Sequence, residues 1–251
     1  MLPQSAVAAT QPAGGRPEAS PERIRISLLG TFDVSVGDGQ VALPMNVQRL
    51  VAFLALQRRW VQRGFVAGSL WLDSTDDRAA GSLRSALWRA NREARFVEAQ
   101  GEQLRLLPAV NVDLDAAVVQ AHRLLDPASA ECPSPHDMLL RDDVLPDWYD
   151  DWVALERERF RQLRVHALES LCERLMAVER FGEAIDAGLA ATATEPLRES
   201  GHRLLVRIHL AEGNSSEALA RFKSFRAMLL DELGLEPSPK MFDLVAHLTK
   251  R

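Results

Sequence analysis

The residues of this 251-residue chain best suited to chemistry are arginines, and they gather in one stretch, Asp77–Arg95, DRAAGSLRSALWRANREAR. Arg78, Arg84, Arg89, Arg92 and Arg95 recur there, and after Asp77 the only acid is Glu93. A guanidinium carries its N–H donors in a planar fork that matches phosphate oxygens and the O6/N7 edge of guanine. The chemistry on offer is recognition of a polyanion. At 100° per residue, Ala80, Leu83, Leu87, Ala90 and Ala94 make one apolar stripe. Opposite it fall Arg78, Gly81, Ser85, Trp88 and Arg92, with Arg84, Arg89 and Arg95 on the flanks. Such an amphipathic helix suits a DNA major groove, and it also suits an ordinary solvated surface, so its neighbours must decide.

No other residues assemble a reaction centre. Six histidines (His122, His136, His166, His202, His209 and His247) are scattered, and Cys132 and Cys172 lie forty positions apart. There is no glycine-rich phosphate loop, nucleophile elbow or metal-ligand spacing, so no enzyme, cofactor or metal site is expected. The pairs Asp142-Asp143 and Asp150-Asp151 lack further ligands. Two unclustered thiols fit a reducing cytosol, and no apolar run is long enough for a membrane span. Residues 1–22 lack a signal peptide's basic start and apolar core, and their Pro, Ala, Gly and Ser content reads as a disordered leader.

A net charge of −5 looks wrong for a DNA binder until it is divided. Residues 1–111 hold 13 Lys and Arg against 10 Asp and Glu, a balance of +3, whereas residues 112–251 hold 17 against 25, a balance of −8. Phosphate attraction follows the local field, so the basic half remains compatible with DNA, and the step in charge marks a domain boundary near residue 111.

The elements around the arginine helix supply its context. Ile24, Ile26 and Leu28 alternate with polar residues, as do Val34, Val36, Val41 and Leu43 around a Gly37-Asp38-Gly39 turn, predicting a small antiparallel sheet of two or three strands. Val47–Trp60 reads as a helix with Asn46 as its N-cap, and Arg63–Trp71 as a shorter one. After the arginine helix, Phe96–Ala99 and Leu104–Leu106 flank a turn containing Gly101 and predict a hairpin. Helix, helix, helix and hairpin in this order form a winged helix-turn-helix, with the third helix in the groove.

From Val112 onward the pattern is helical. Asp113–Leu125 is one helix, and a Pro- and Ser-rich loop spans residues 126–136. Leu139–Asp150 is acidic and irregular, and the nearby Trp148, Tyr149 and Trp152 either pin it to neighbouring helices or offer a surface to a protein partner. A helix starts near Trp152. Leu171 and Leu205, Ala177 and Ala211, Glu183 and Glu217, Ala184 and Ala218, and Ile185 and Leu219 are each separated by thirty-four residues. That is the tetratricopeptide period, two antiparallel helices per unit, and a last helix follows over Lys240–Thr249. The expected fold is an α+β winged helix domain (23–111) followed by an all-α tetratricopeptide-like domain (112–251).

The motifs IRISLLGTFDV, LWLDSTDDRAAGSLRSALWR, VDLDA, VLPDWYDDWVALERERFRQLRVHALESL, EPLRESGHRLLVRIHLAEGNSSEAL and LLDELGLEPSP occur in this order. The chain thereby resembles the Streptomyces antibiotic regulatory proteins, which join a winged helix to a bacterial transcriptional activator domain. The resemblance implies a cytoplasmic transcriptional activator that binds direct repeats in double-stranded promoter DNA, as a homodimer or as tandem monomers. It also implies recruitment of RNA polymerase, often at a secondary-metabolite gene cluster. Carried onto this chain, the groove-facing residues are Arg78, Ser82, Arg84, Ser85, Trp88, Arg89 and Arg92, with Arg105 as the basic residue of the wing. The sequence departs from the family at Ala90-Asn91, where Leu-Arg is common, and in the wing GEQLRL, which lacks the usual aromatic. Two alternatives stay open: a protein-interaction scaffold, and a ligand-gated regulator whose winged helix does not bind DNA by itself.

Overall fold

A computed structural model of the chain describes residues 23–129, 132–135, 140 and 142–249. The expected leader, residues 1–22, lies outside them, as does part of the loop that precedes Leu140.

Ile24–Ser27 (β1) and Asp33–Val36 (β2) pair antiparallel with Ile26 opposite Val34, and both of these side chains are buried. Gly37, at φ 59°, supplies the left-handed residue that turns the chain into Gly39–Gln40 (β3). Val41 and Leu43 do not extend this strand as the alternation implied. Val41 N–H still donates to the Val34 carbonyl at 2.8 Å, but Pro44 then starts Met45–Gln57 (α1). Pro44, with φ −61° and no N–H to leave unsatisfied, takes the N-cap position expected of Asn46, which lies inside the first turn. Helix α1 is buried nearly all round, from Val47 to Leu56, and is the centre of this half.

Val61–Gln62 (β4) precedes Arg63–Leu70 (α2), which ends one residue sooner than expected because Trp71 leaves helical geometry. Asp76–Glu93 (α3) is followed by the hairpin Val97–Gln100 (β5) and Gln103–Leu106 (β6). Strand β4 completes a sheet of order β4-β6-β5, with Val61 opposite Leu104. Asn111–Val112 (β7) runs parallel to β1 and gives the first sheet the order β3-β2-β1-β7. Two-residue strands such as β4 and β7 are too short to show a period, so alternation did not reveal them.

The face of α3 that packs inward differs from the expected stripe. Ala79, Leu83, Ala86 and Ala90 are buried, while Ala80, Leu87 and Ala94 are only half-buried. The helix is rotated by about 50°, half of one residue's step. Three alanines let its backbone approach α1 and α2 closely, and the bulkier Leu87 is displaced to the margin. At the C-terminal end Ala94 is extended, so Arg95 lies beyond the helix. Asn91 ties the last turn to β5: its amide donates to the Val97 carbonyl, and its oxygen accepts from Val97 N–H at 3.2 Å.

The second half contains Asp113–Leu125 (α4), Asp151–Ala177 (α5), Phe181–Thr194 (α6), Glu199–Ala211 (α7), Ser215–Leu233 (α8) and Pro239–Thr249 (α9). The pairs α5/α6 and α7/α8 are the two repeat units, and Leu171, Leu205, Ala184 and Ala218 are all fully buried. The halves meet along a continuous seam. The Asp113 carboxylate accepts from the N–H groups of Leu28 (2.8 Å) and Leu29 (3.2 Å), and Leu145 N–H donates to the Leu28 carbonyl. Trp148 packs on Phe32, Trp152 packs edge-on against Phe53 at 5.2 Å, and Arg49 pairs with Asp150. Trp148 and Trp152 therefore pin this segment, whereas Tyr149 stands 92% exposed.

Candidate nucleic-acid interface

The sequence of α3 fixes which side chains leave the protein. With Ala79, Leu83, Ala86 and Ala90 turned inward, the opposite side carries Arg84, Trp88 and Arg92 at successive i, i+4 positions, with Gly81 and Ser85 beside them. Arg78 and Arg89 are exposed on one flank. Ser82 is half-buried at the margin, because the rotation carries it toward α3's packed side. Asp76 and Asp77 occupy the first turn and Arg92 the last, an arrangement that complements the helix dipole.

Trp88 could have faced outward or folded back. It faces outward at 62% exposure, with the Arg92 guanidinium 5.3 Å from its ring centre. Two shallow grooves adjoin α3. One of about 690 Å³ lies between α2, α3 and the hairpin turn and is lined in part by Arg63, Gly64, Gly68, Arg84 and Gly101. The other brings Arg63, Arg84, Trp88, Asn91 and Arg92 together with Ala99 of β5. Arg63, absent from the sequence-derived set, holds the hairpin turn through its Nε–H to the Gly101 carbonyl at 3.1 Å. Only its place at the start of α2 could have hinted at this.

Arg105 on β6 is differently placed. Its guanidinium is 2.7 Å from Glu98 and stacks 4.4 Å above the ring of Trp60, so a carboxylate already offsets its charge.

The arginines of α3 contrast with those of the repeat helices from α5 onward. From Arg157 to Arg226 every arginine except Arg221 holds a carboxylate or a backbone carbonyl. Among the described residues, Arg78, Arg84, Arg89 and Arg92 have neither. Arg89 and Arg92, like charges three residues apart on the helix, disfavour the isolated helix by a few tenths of a kcal/mol. Among the described residues no three His, Cys, Asp or Glu side chains converge as metal ligands, and no helix is long and apolar enough to cross a membrane.

A small sheet, three helices and a hairpin, fused to stacked helical pairs, define the class: a winged helix-turn-helix joined to an all-α repeat domain. Residues 113–248 match the bacterial transcriptional activator domain, and the chain belongs to that family, with the domain arrangement of the Streptomyces antibiotic regulatory proteins. It is 26% identical over 217 residues to the regulatory protein AfsR of Streptomyces coelicolor, covering 80% of this chain and 21% of that protein. It is 31% identical over 119 residues to the regulatory protein DnrI of Streptomyces peucetius, covering 47% of this chain and 43% of that protein. Among solved structures, Mycobacterium tuberculosis EmbR, determined in complex with a low-affinity phosphopeptide, shares the fold. The TM-score is 0.75 at 22% identity, over 90% of this chain and 65% of that one. The chain thus spans about a fifth of the length of AfsR and under half that of DnrI.

Proposed function

We propose that this protein is a sequence-specific DNA-binding transcriptional activator. Helix α3 enters the major groove of promoter direct repeats, where Arg78, Arg84, Ser85, Trp88, Arg89 and Arg92 face bases and phosphates and the half-buried Ser82 lies at the edge of the contact. The hairpin lies beside the backbone, and there Arg105 contributes only if DNA draws it from Glu98. The repeat half contacts RNA polymerase, and the direct repeats carry two copies in tandem or as a dimer. That the relatives are named regulatory proteins favours this reading, and a secondary-metabolite gene cluster is the proposed target.

One observation carries the proposal: Arg78, Arg84, Arg89 and Arg92 of α3 are exposed and hold no carboxylate, whereas every arginine from Arg157 to Arg226 except Arg221 holds a carboxylate or a backbone carbonyl. Fluorescence anisotropy with promoter fragments tests it. Replacing a phosphate-pairing arginine should weaken all sequences alike and reduce the slope of log K against log salt by about one. Replacing a base-reading arginine should cost about 1–3 kcal/mol and relax preference at one base pair. If Arg84→Ala and Arg89→Ala both bind as tightly as the parent at physiological salt, the groove assignment is wrong. If the parent binds no DNA even at low salt, the scaffold alternative replaces it.

A further inference from the structure

Trp88 is the one large apolar side chain at the centre of the exposed face of α3. It is 62% exposed. An indole left in water forgoes the stabilisation that burial of its large apolar area would bring. Its neighbours are specific: Arg92 sits one turn further on with its guanidinium over the ring, and Arg84 sits one turn back. The tryptophan and the arginine over its ring therefore project into solvent side by side.

We propose that Trp88 and Arg92 act as a unit that reads a thymine beside a guanine. This rests on the reading above, in which α3 lies in the major groove. The indole packs against the 5-methyl group of thymine, the one methyl group the four bases present there. Arg92, held over the indole, donates both N–H groups of its fork to O6 and N7 of the guanine. Stacking restricts the arginine before DNA arrives, so less rotamer freedom is lost when the two hydrogen bonds form. The geometry suits neighbouring bases. Residues four apart on a helix are separated by about 6 Å along its axis, within two base-pair steps of about 3.4 Å each. Lysine at position 92 has neither the planar stack nor the fork, so Arg92→Lys does not preserve the unit although it keeps the charge.

The test uses the full chain. Its preferred site is selected from a random double-stranded library, and each thymine in that site is then changed singly to deoxyuridine, which removes only the methyl group. One thymine in each repeat should weaken the parent by about fourfold when replaced, the contribution expected of one buried methyl group. Trp88→Ala should bind the thymine and deoxyuridine sites equally. A guanine within two base pairs of that thymine should lose its influence in Arg92→Ala and in Arg92→Lys. Because Trp88 is exposed, Trp88→Ala should melt with the parent, which separates a contact from a folding defect. The proposal is overturned if every thymine-to-deoxyuridine change affects parent and Trp88→Ala alike, as a sugar or phosphate contact by the indole would give. A selected site without such a thymine also overturns it. If the parent shows no salt-dependent DNA binding at all, the groove reading fails and takes this one with it, and the salt titration distinguishes the two failures.

Discussion

His202 is 3% exposed, with Nε2–H directed at the Pro196 carbonyl 2.9 Å away and its ring stacked on Phe225 at 4.2 Å. Burial pushes its pKa down; the Pro196 carbonyl opposes that shift, and the charge of Arg221 adds to it. The unfolded chain takes up the proton near pH 6.5, whereas the folded chain resists until lower pH. Below about pH 6.5 the unfolded state therefore binds more protons, and stability falls as pH falls. Denaturant titrations of the parent and His202→Gln should give a stability difference that shrinks steadily from pH 7 to pH 5.5, a window above most carboxylate titration. A pH-independent difference would mean that folding leaves the pKa of His202 unchanged. The cysteines are also set apart by burial. Cys172, beneath α6 with its thiol directed at the Ala184 carbonyl, has a pKa pushed up to about 12 by desolvation, while Cys132 is half-exposed. A disulfide reagent at neutral pH should titrate one thiol in the folded protein and two after unfolding. Two fast thiols in the native protein would contradict this placement.

At the scale of elements, periodicity and turn residues are strong signals only in segments of several residues. The order sheet, helix, helix, helix, hairpin was legible, as were α4, the hairpin and the thirty-four-residue repeat of Leu171 with Leu205 and Ala184 with Ala218. The angular setting of α3 was not. Leu87 weighs more than Ala86 in an apolar count, yet close helix approach selects the smaller side chain, and that choice depends on α1 and α2. Arg63 and Asn91 were missed as positioning residues for the same reason, since their partners Gly101 and Val97 come from the hairpin. Within the repeats, small size also mattered at a position that the repeat does not mark. A Cβ on Gly188 would stand 2.6 Å from Leu205 Cδ2, so α6 crosses α7 there with no room for a methyl group, whereas the corresponding residue of the next unit is Phe222. Gly188→Ala should destabilise the protein by about 1–3 kcal/mol through overpacking. Gly182→Ala, in the same helix with nothing within 4 Å of its Cβ, should be neutral or stabilise by up to about 1 kcal/mol. Thermal melts of both variants check the pair, and equal shifts would mean that propensity rather than packing controls α6.

For the whole molecule, the seam between the halves decides whether the repeat domain has a fixed direction relative to the winged helix domain. The change in charge near residue 111 coincides with β7, a strand of the first sheet that leads directly into α4, so no free linker separates the halves. Asp113 accepts the Leu28 and Leu29 amides. Burial raises its pKa, and the amides oppose that shift. Arg157 of α5 donates to the carbonyls of Val144, Leu145 and Trp148, fixing the connecting segment to the helix whose Trp152 packs on Phe53 of α1. An α1 movement is thus transmitted to the first repeat helix through packed rings rather than a flexible tether. Trp152→Ala should cost about 3 kcal/mol, less than a fully enclosed tryptophan of the same contacts. The loss should appear on both sides of the seam. Native-state hydrogen exchange should show reduced protection for amides of β1 and of α5 together, because the two halves open as one cooperative unit. If α5 loses protection while β1 keeps the parent's value, the halves unfold independently, and the seam does not hold the repeat domain in one orientation relative to α3.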